Sequence, residues 1–215
     1  MNISAYNWGA QFYDGLWHNF TAKTLERVRL TLDLKRPPGD QPHPRRLLDL
    51  ACGTGELERQ LVRLHPEIEL IGLDSSLEML SQARRKLAGK PQVFFVQGDA
   101  FLPLPFADAS FEAVVSANAL HYLAQPANLL QEVQRVLKPG GQLVIEDYTV
   151  QRSFLWPWFE KLIRLVDAQH YQTYTFRELS QFVTTTGFVI VEGGNFKIDW
   201  WWRGMFISAT RPLNS

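Results

Sequence analysis

Little cysteine, no net charge, no apolar run of membrane length and no repeats: these scarcities remove several classes of protein from the 215-residue chain. Cys52 is the single cysteine. An internal disulfide or a cysteine-rich metal site is therefore excluded, no metal is expected, and a reducing compartment fits. The 22 Lys and Arg residues are matched by 22 Asp and Glu, so no global field draws in a nucleic-acid backbone, although a local basic patch stays open. No window reaches the ~18 apolar residues of a membrane span. The opening "MNISAYNWGAQFYDGLW" has neither a basic n-region nor an apolar h-region. The expectation is a cytoplasmic protein with no membrane span and no nucleic-acid partner.

What is present is an alternation. Residues 16–34 show helical periodicity through Leu16, Phe20, Leu25, Val28 and Leu32, after which "KRPPGDQPHPRR" breaks regular structure with four prolines. From Leu47 the chain reads strand "LLDLA", helix "ELERQLVRLH", strand "IELIGLD", helix "SLEMLSQARRKLA", strand "QVFFVQGD", strand "FEAVVSAN", helix "PANLLQEVQRVL", turn "KPGG" and strand "QLVIEDYTV". Apolar strands alternating with amphipathic helices predict a doubly wound α/β fold, a parallel sheet with helices on both faces. Ser75 and Glu78 are spaced as a capping box, and "KPGG" supplies a helix stop. "TFRELSQFVTTTGF" reads as a last helix ended by Gly187, and "VIVEGGNFKIDWWWRGMFISATR" as two strands joined by a turn. They complete a mainly parallel seven-stranded sheet with an antiparallel last strand. Within "DWWWRG", strand alternation places Trp200 and Trp202 on one face and Trp201 on the other. The expected organisation is an N-terminal helical cap and Pro-rich linker over residues 1–45 and a core over 46–215. A lid-like aromatic insertion at about 151–174 carries Trp156, Phe159, Ile163 and Val166 at helical spacing.

Gly53 and Gly55 lie just past the first strand, and Asp74 ends the second about 20 residues on, a distance at which a carboxylate can accept from both ribose hydroxyls. A dinucleotide site or a phosphate-free nucleoside site both fit so far. A dinucleotide fingerprint wants a third small residue where Glu58 stands, and a pyrophosphate on the following helix would face Glu56. A cofactor bearing a cation and no phosphate avoids that conflict, and S-adenosylmethionine is such a cofactor. Cys52 reads as a packed turn residue rather than a nucleophile.

Four stretches in order, "LLDLACGTG", "IGLDSSLEML", "FVQGDAFLPLPFADASFEAVVSANALHYL" and "EVQRVLKPGGQLVIED", resemble the class I S-adenosylmethionine-dependent methyltransferases, particularly the branch of ubiquinone and menaquinone C-methyltransferases. The resemblance covers roughly Leu47 to Asp147 and implies the Rossmann-like methyltransferase fold. It also implies that Gly53 and Gly55 let the backbone pass the methionine portion, with Asp49 supporting the turn. Asp74 would hold the ribose, Ser75 and Met79 would border the adenine, and Asp99 with the Ala100 amide would bond its edge. Backbone groups at Ala117 and Asn118 would face the methionine amine. The family's usual first glycine is Ala51 here, which is tolerable at negative φ. The N-terminal "AQFYDGLW" is similar to the family's leading segment, where a tyrosine equivalent to Tyr13 covers the cofactor.

Methyl transfer is an in-line displacement that needs alignment and, for a hydroxyl acceptor, removal of a proton. His121, in "NALHYL" after the fourth strand, is the candidate general base, since histidine exchanges protons near neutrality. A wall of the pocket is its alternative role. His170 and Tyr171 are weaker candidates, and His18, His43 and His65 read as surface or linker residues. The leading function is methylation, at oxygen or carbon, of a small apolar or aromatic metabolite. Its alternatives are a tRNA or protein methyltransferase, a nicotinamide-dependent oxidoreductase, disfavoured by Glu56 and Glu58, and a non-catalytic S-adenosylmethionine-binding protein. A homodimer through the tryptophan-rich last strands stays open.

Overall fold

In the computed structural model of the chain, the described residues are 18–34, 45–100, 102–149, 161, 164–165 and 170–213. Tyr13, residues 35–44 of the linker, and Trp156, Phe159, Ile163 and Val166 of the insertion lie outside them. Seven strands form one sheet: β1 (Arg46–Leu50), β2 (Glu69–Asp74), β3 (Val93–Gln97), β4 (Phe111–Ala117), β5 (Leu137–Thr149), β6 (Val189–Lys197) and β7 (Arg203–Thr210). Their order is β3-β2-β1-β4-β5-β7-β6. β1 to β5 pair in parallel, and β7 runs antiparallel to both β5 and β6. The doubly wound, mainly parallel arrangement expected from the alternation is the one observed.

Among the described residues, five helices accompany the sheet: α1 (His18–Thr31), α2 (Glu56–Leu64), α3 (Leu77–Lys86), α4 (Pro126–Val136) and α5 (Phe176–Thr185), with a 3₁₀ turn at Leu120–Tyr122. Central strands are covered on both faces, which is why "LLDL" is almost continuously apolar. On one face Leu25 and Val28 of α1 join Leu57 and Leu61 of α2 over Leu47, Val115 and Val144. On the other, Leu130 and Val133 of α4 and Leu179 and Val183 of α5 cover Leu48, Val114 and Ile207. The strand order reverses between β1 and β4, so a cleft opens above their carboxyl ends.

Three local expectations are corrected. The cap of α3 is Ser76, not Ser75: the Asp74 carboxylate holds the Ser76 N–H at 2.8 Å, which carries the chain one residue further before the Ser76 Oγ accepts from Met79 at 3.2 Å. A complete capping box sits instead on α5, where Thr175 and Glu178 bond reciprocally. "KPGG" does not close α4, which already ends at Val136; it bulges out of β5. The ladder there jumps from Phe111↔Leu137 to Ala113↔Gln142, around Gly140 at φ +75°. "DWWWRG" is mostly the turn between β6 and β7 rather than strand. Asp199 Oδ1 accepts the N–H groups of Trp201 and Trp202 at 2.7 Å each, and this side-chain turn overrides the aromatic strand propensity. Trp200 and Trp201 therefore stand side by side, and neither follows strand alternation.

Gly72 on β2 is required by a neighbour. A Cβ there would lie 2.5 Å from Glu58 Oε1 and 2.7 Å from Cys52 Sγ. The close approach of helix and strand that a glycine on the helix usually permits is achieved by a glycine on the strand. Gly72→Ala is expected to lose on the order of 1–3 kcal/mol of stability, read as a lower denaturant midpoint at unchanged slope; a midpoint equal to that of the parent chain would show that Glu58 does not occupy this space.

Candidate functional site

The turn after β1 takes its shape from three left-handed residues, Ala51 at φ +60°, Gly53 at +55° and Gly55 at +73°. The negative φ expected at Ala51 is not adopted. An alanine in this region costs about 1–2 kcal/mol, and it is held by the β1 ladder on one side and by hydrogen bonds on the other. Cys52 N–H donates to Leu73 O at 3.1 Å, and Gly53 N–H to Asp74 Oδ2 at 2.8 Å. The two glycines do different work. A Cβ on Gly53 would meet nothing within 4 Å, so its face is open, whereas one on Gly55 would press Ala83 at 3.0 Å and Phe95 at 3.2 Å. Gly53 presents bare backbone; Gly55 lets α2 lie against α3.

Beneath this turn two carboxyl groups, Asp49 and Glu58, are buried, and a third, Asp74, is half-buried. Glu58 is fully buried and neither of its oxygens has a hydrogen-bond partner among the described residues. Burial pushes its carboxyl up to about 8, with Asp74 and Glu56 adding and Lys86 opposing. Asp49 is raised by burial and then by Glu58 and Asp74. Asp74 is raised by burial, against which the N–H groups of Ser76, Gly53 and Ser75 hold it down. The Cys52 thiol is pushed up by burial and then by the carboxylates of Glu58, Asp49 and Asp74, which disfavours its thiolate.

This chemistry rejects a pyrophosphate and suits a cationic ligand with a diol. Glu56, at the N-terminus of α2, is already paired with Arg59 at 2.8 Å and lies 3.6 Å from Lys86. Glu58 does not face a ligand at all; it fills the interior where a third small residue was sought. Each Asp74 oxygen accepts one backbone N–H and keeps lone-pair capacity for hydroxyl donors. At the end of β4, Asn118 adopts φ +52°, its Nδ2 donates to Thr24 of α1 at 2.9 Å, and its buried Oδ1 has no partner among the described residues. Ser75 follows Asp74 directly, Met79 is buried in the first turn of α3, and Asp99 and Ala100 lie just beyond β3, where Asp99 O accepts from Leu102 at 3.1 Å.

A second group stands at the ends of β4 and β5. His121, in the 3₁₀ turn, is 5% exposed. Its Nδ1 lies 2.8 and 3.0 Å from the two oxygens of Asp147, and its backbone N–H donates to Asp147 Oδ2 at 2.8 Å. Tyr148 N–H donates to Asp147 Oδ1 at 2.7 Å. The carboxylate is thereby locked, and the ring with it. His121 Nε2 has no hydrogen-bond partner among the described residues. Tyr148 is hydrogen-bonded to His170 Nδ1 at 2.9 Å, and its ring meets His121 at 4.5 Å, Trp202 at 5.4 Å and Phe20 at 6.5 Å. Tyr171 N–H and Gln172 N–H donate to His121 O. His121 and His170 are thus brought together, while the Tyr171 side chain stays about half exposed. The sequence reading missed Asp147 and Tyr148. Their signal was available, because "IEDYTV" puts a carboxylate at the carboxyl end of a strand, as "GLD" does for Asp74. It also missed Glu146, fully buried on β5 with both oxygens unpartnered among the described residues and raised by burial and by Asp147.

The strand order, the left-handed turn and the strand-end carboxylates make a doubly wound fold with a ligand cleft where the strand order reverses. Residues 48–145 match the family model described as a methyltransferase domain. Over 113 residues the chain is 42% identical to a demethylmenaquinone methyltransferase of Deinococcus radiodurans, covering 52% of this chain and 46% of that protein. Over 124 residues it is 36% identical to a ubiquinone/menaquinone biosynthesis C-methyltransferase of Desulfotalea psychrophila, covering 57% and 50%. A Haemonchus contortus phosphoethanolamine N-methyltransferase 2, solved in complex with S-adenosyl-L-methionine, superposes with TM-score 0.76 at 19% identity, over 96% of this chain and 57% of that one. The chain spans about half the length of the curated relatives it matches. Over residues 48–145 the chain is thus similar to methyltransferase domains, in line with the resemblance that the four motifs carry.

The Glu58 carboxyl makes stability fall with alkalinity. A group whose value is raised on folding contributes fully below its unfolded value, near 4.5, and that contribution is lost as pH rises toward about 8. Glu58→Gln is therefore expected to gain on the order of 1–3 kcal/mol over the parent chain at pH 8, with the gain vanishing near pH 4. A gain independent of pH in urea titrations would contradict the buried neutral carboxyl.

Proposed function

We propose that this chain transfers a methyl group from S-adenosylmethionine to a hydroxyl, or to the ring carbon that hydroxyl activates, on a small apolar or aromatic acceptor. The observation that carries the reading is the two-oxygen hold of Asp147 on His121 at the same end of the sheet as the Gly53–Asp74 turn. The relatives named for demethylmenaquinone favour an aromatic, quinone-derived acceptor.

In this reading Asp74 takes the ribose hydroxyls, Ser75 and Met79 border the adenine, and Asp99 with the Ala100 N–H meets its edge. Ala51, Gly53, Gly55 and Asn118 supply the backbone surface for the methionine portion, Asp49 backs the turn from below, and Tyr13 covers it. The bound cofactor supplies an electrophilic methyl carbon on a sulfonium. Asp147 accepts the His121 Nδ1 proton, which leaves Nε2 as the basic nitrogen. His121 Nε2 takes the acceptor's hydroxyl proton, which readies that oxygen, or the ring carbon it activates, for the methyl group that the cofactor would supply, the sulfur keeping the electron pair of the broken carbon–sulfur bond. The proton then passes from Nε2 to water, and where the ring carbon is methylated its own proton is also lost to water, which restores the aromatic ring. Phe20, Tyr148, His170 and Trp202 wall the acceptor side with rings that hold it in line.

Asp74→Ala is expected to weaken S-adenosylmethionine binding at least about tenfold, roughly 1.4 kcal/mol, in titration calorimetry; unchanged affinity would remove the ribose assignment. With a reduced short-chain naphthoquinone as acceptor, His121→Ala and Asp147→Asn are each expected to lower kcat for S-adenosylhomocysteine formation by about 100-fold or more at near-parental cofactor affinity. Full activity in both variants would exclude the pair as the base, and cofactor binding without turnover on any hydroxylated acceptor would favour a non-catalytic binding protein.

A further inference from the structure

Away from the turn after β1, the tip of the β6–β7 hairpin exposes two adjacent large aromatic side chains. Trp200 and Trp201 are 74% and 70% exposed, and their rings lie side by side with centroids 4.1 Å apart. Two adjacent indoles in water call for a reason. The tip is not loosely held. Asp199 caps two N–H groups of the turn, and the Ile198 and Asp199 N–H groups donate to Trp202 O. Just below, Phe196 lies over Gly204, and the Arg27 guanidinium stacks on Phe196 and Phe206 at 5.1 and 4.8 Å. The indoles are presented on a braced hairpin.

The flanking charge is basic on balance, two cations to one carboxylate. Lys197 and Arg203 are cross-strand partners at the base of the tip, both exposed, while the Asp199 carboxylate is engaged within the turn. Because β6 and β5 both run antiparallel to β7, the tip rises at the carboxyl end of the parallel strands, the end that carries Asp74 and His121. Trp202 turns inward from it onto Tyr148 and Phe20. At the same end Leu165 is 78% exposed, beside an exposed Arg164 that donates to Tyr171 O, and Tyr171 N–H bonds to His121 O.

We propose that this edge docks on an anionic lipid bilayer, with Trp200 and Trp201 seated at headgroup level and Lys197 and Arg203 against lipid phosphates. Indoles prefer that depth because one edge is apolar and the N–H is polar, and basic side chains with apolar stems sit beside them. A second copy of the chain is the poorer occupant: a two-fold contact through the tryptophan pair brings Lys197 and Arg203 toward their own like charges, whereas a bilayer supplies the opposite charge. Docked this way, the wall formed by Trp202, Tyr148 and Phe20 faces the membrane, and an apolar acceptor reaches it without crossing water. The surface stands independently of the methyl-transfer reading, since it requires neither cofactor nor acceptor.

Co-sedimentation of the full chain with vesicles of phosphatidylcholine mixed with phosphatidylglycerol, and with vesicles of phosphatidylcholine alone, tests it. Binding to the anionic vesicles that weakens with salt is expected, with the neutral vesicles bound at least about fivefold more weakly. The double variant Trp200→Ser/Trp201→Ser is expected to lose about tenfold or more in affinity, and Lys197→Ala and Arg203→Ala about fivefold each. The charge variants leave the hairpin core untouched, so they decide the matter if the double variant does not fold. No sedimentation with anionic vesicles, or affinity unchanged in the charge variants and in a folded tryptophan variant, overturns the proposal. So does a concentration-dependent dimer that the tryptophan variant abolishes while vesicles leave the protein in the supernatant.

Discussion

The carboxylate of Asp74 holds two backbone N–H groups at once, that of Gly53 from the turn after β1 and that of Ser76 from the cap of α3. The left-handed course of Ala51 and Gly53, the exposure of bare backbone at Gly53 and the start of α3 all hang on these two bonds. On the other side of the point where the strand order reverses, Asp147 does the equivalent for the β4 loop, accepting the N–H groups of His121 and Tyr148 and holding the imidazole. The two central strands, β1 and β4, thus have their loops clamped by aspartates from their outer neighbours, β2 and β5. Each wall of the cleft between them is tied to the sheet rather than to the other wall.

Burial gives this arrangement its electrostatic character. Burial is the largest cause of the raised proton affinity of Asp49, Glu58 and Asp74 beneath the turn, and Asp74 adds to the rise at Asp49 and at Glu58. Glu146 adds a further carboxyl in the layer under α1, near Asn118. The interior of this end is acidic in composition, and the cations nearest it, Arg59 and Lys86, are engaged by Glu56 and, for Lys86, by Thr54.

Much of this was legible in the sequence because parallel strands buried on both faces must be apolar and their ends must turn. "LLDLACGTG" and "IGLD" located the turn and its carboxylate, and the alternation predicted the sheet. What escaped depends on competition between local bonds. Ser76 displaced Ser75 as the cap because Asp74 had already taken the Ser76 N–H, a tertiary fact invisible in the spacing. The strand read into "DWWWRG" failed because one aspartate oxygen was worth two hydrogen bonds to the turn. Ala51 was expected to keep negative φ from its residue type, but the bonds at Cys52 and Gly53 dictate the backbone regardless of the side chain. Asp147 went unnoticed because its partner, His121, is 26 residues away in the chain.

The fit of Glu58 against Gly72 reaches beyond the stability of either residue. The two positions form a lock of complementary volumes, so neither can be exchanged freely while the other stays. Placing a small residue at 58 first opens a void under the turn; placing a side chain at 72 first produces a clash. A lineage passing between this packing and one with the small residue on the helix must cross one of those states. Transplanting the glycine turn alone into another sheet would therefore carry over a buried acid without the hollow that receives it.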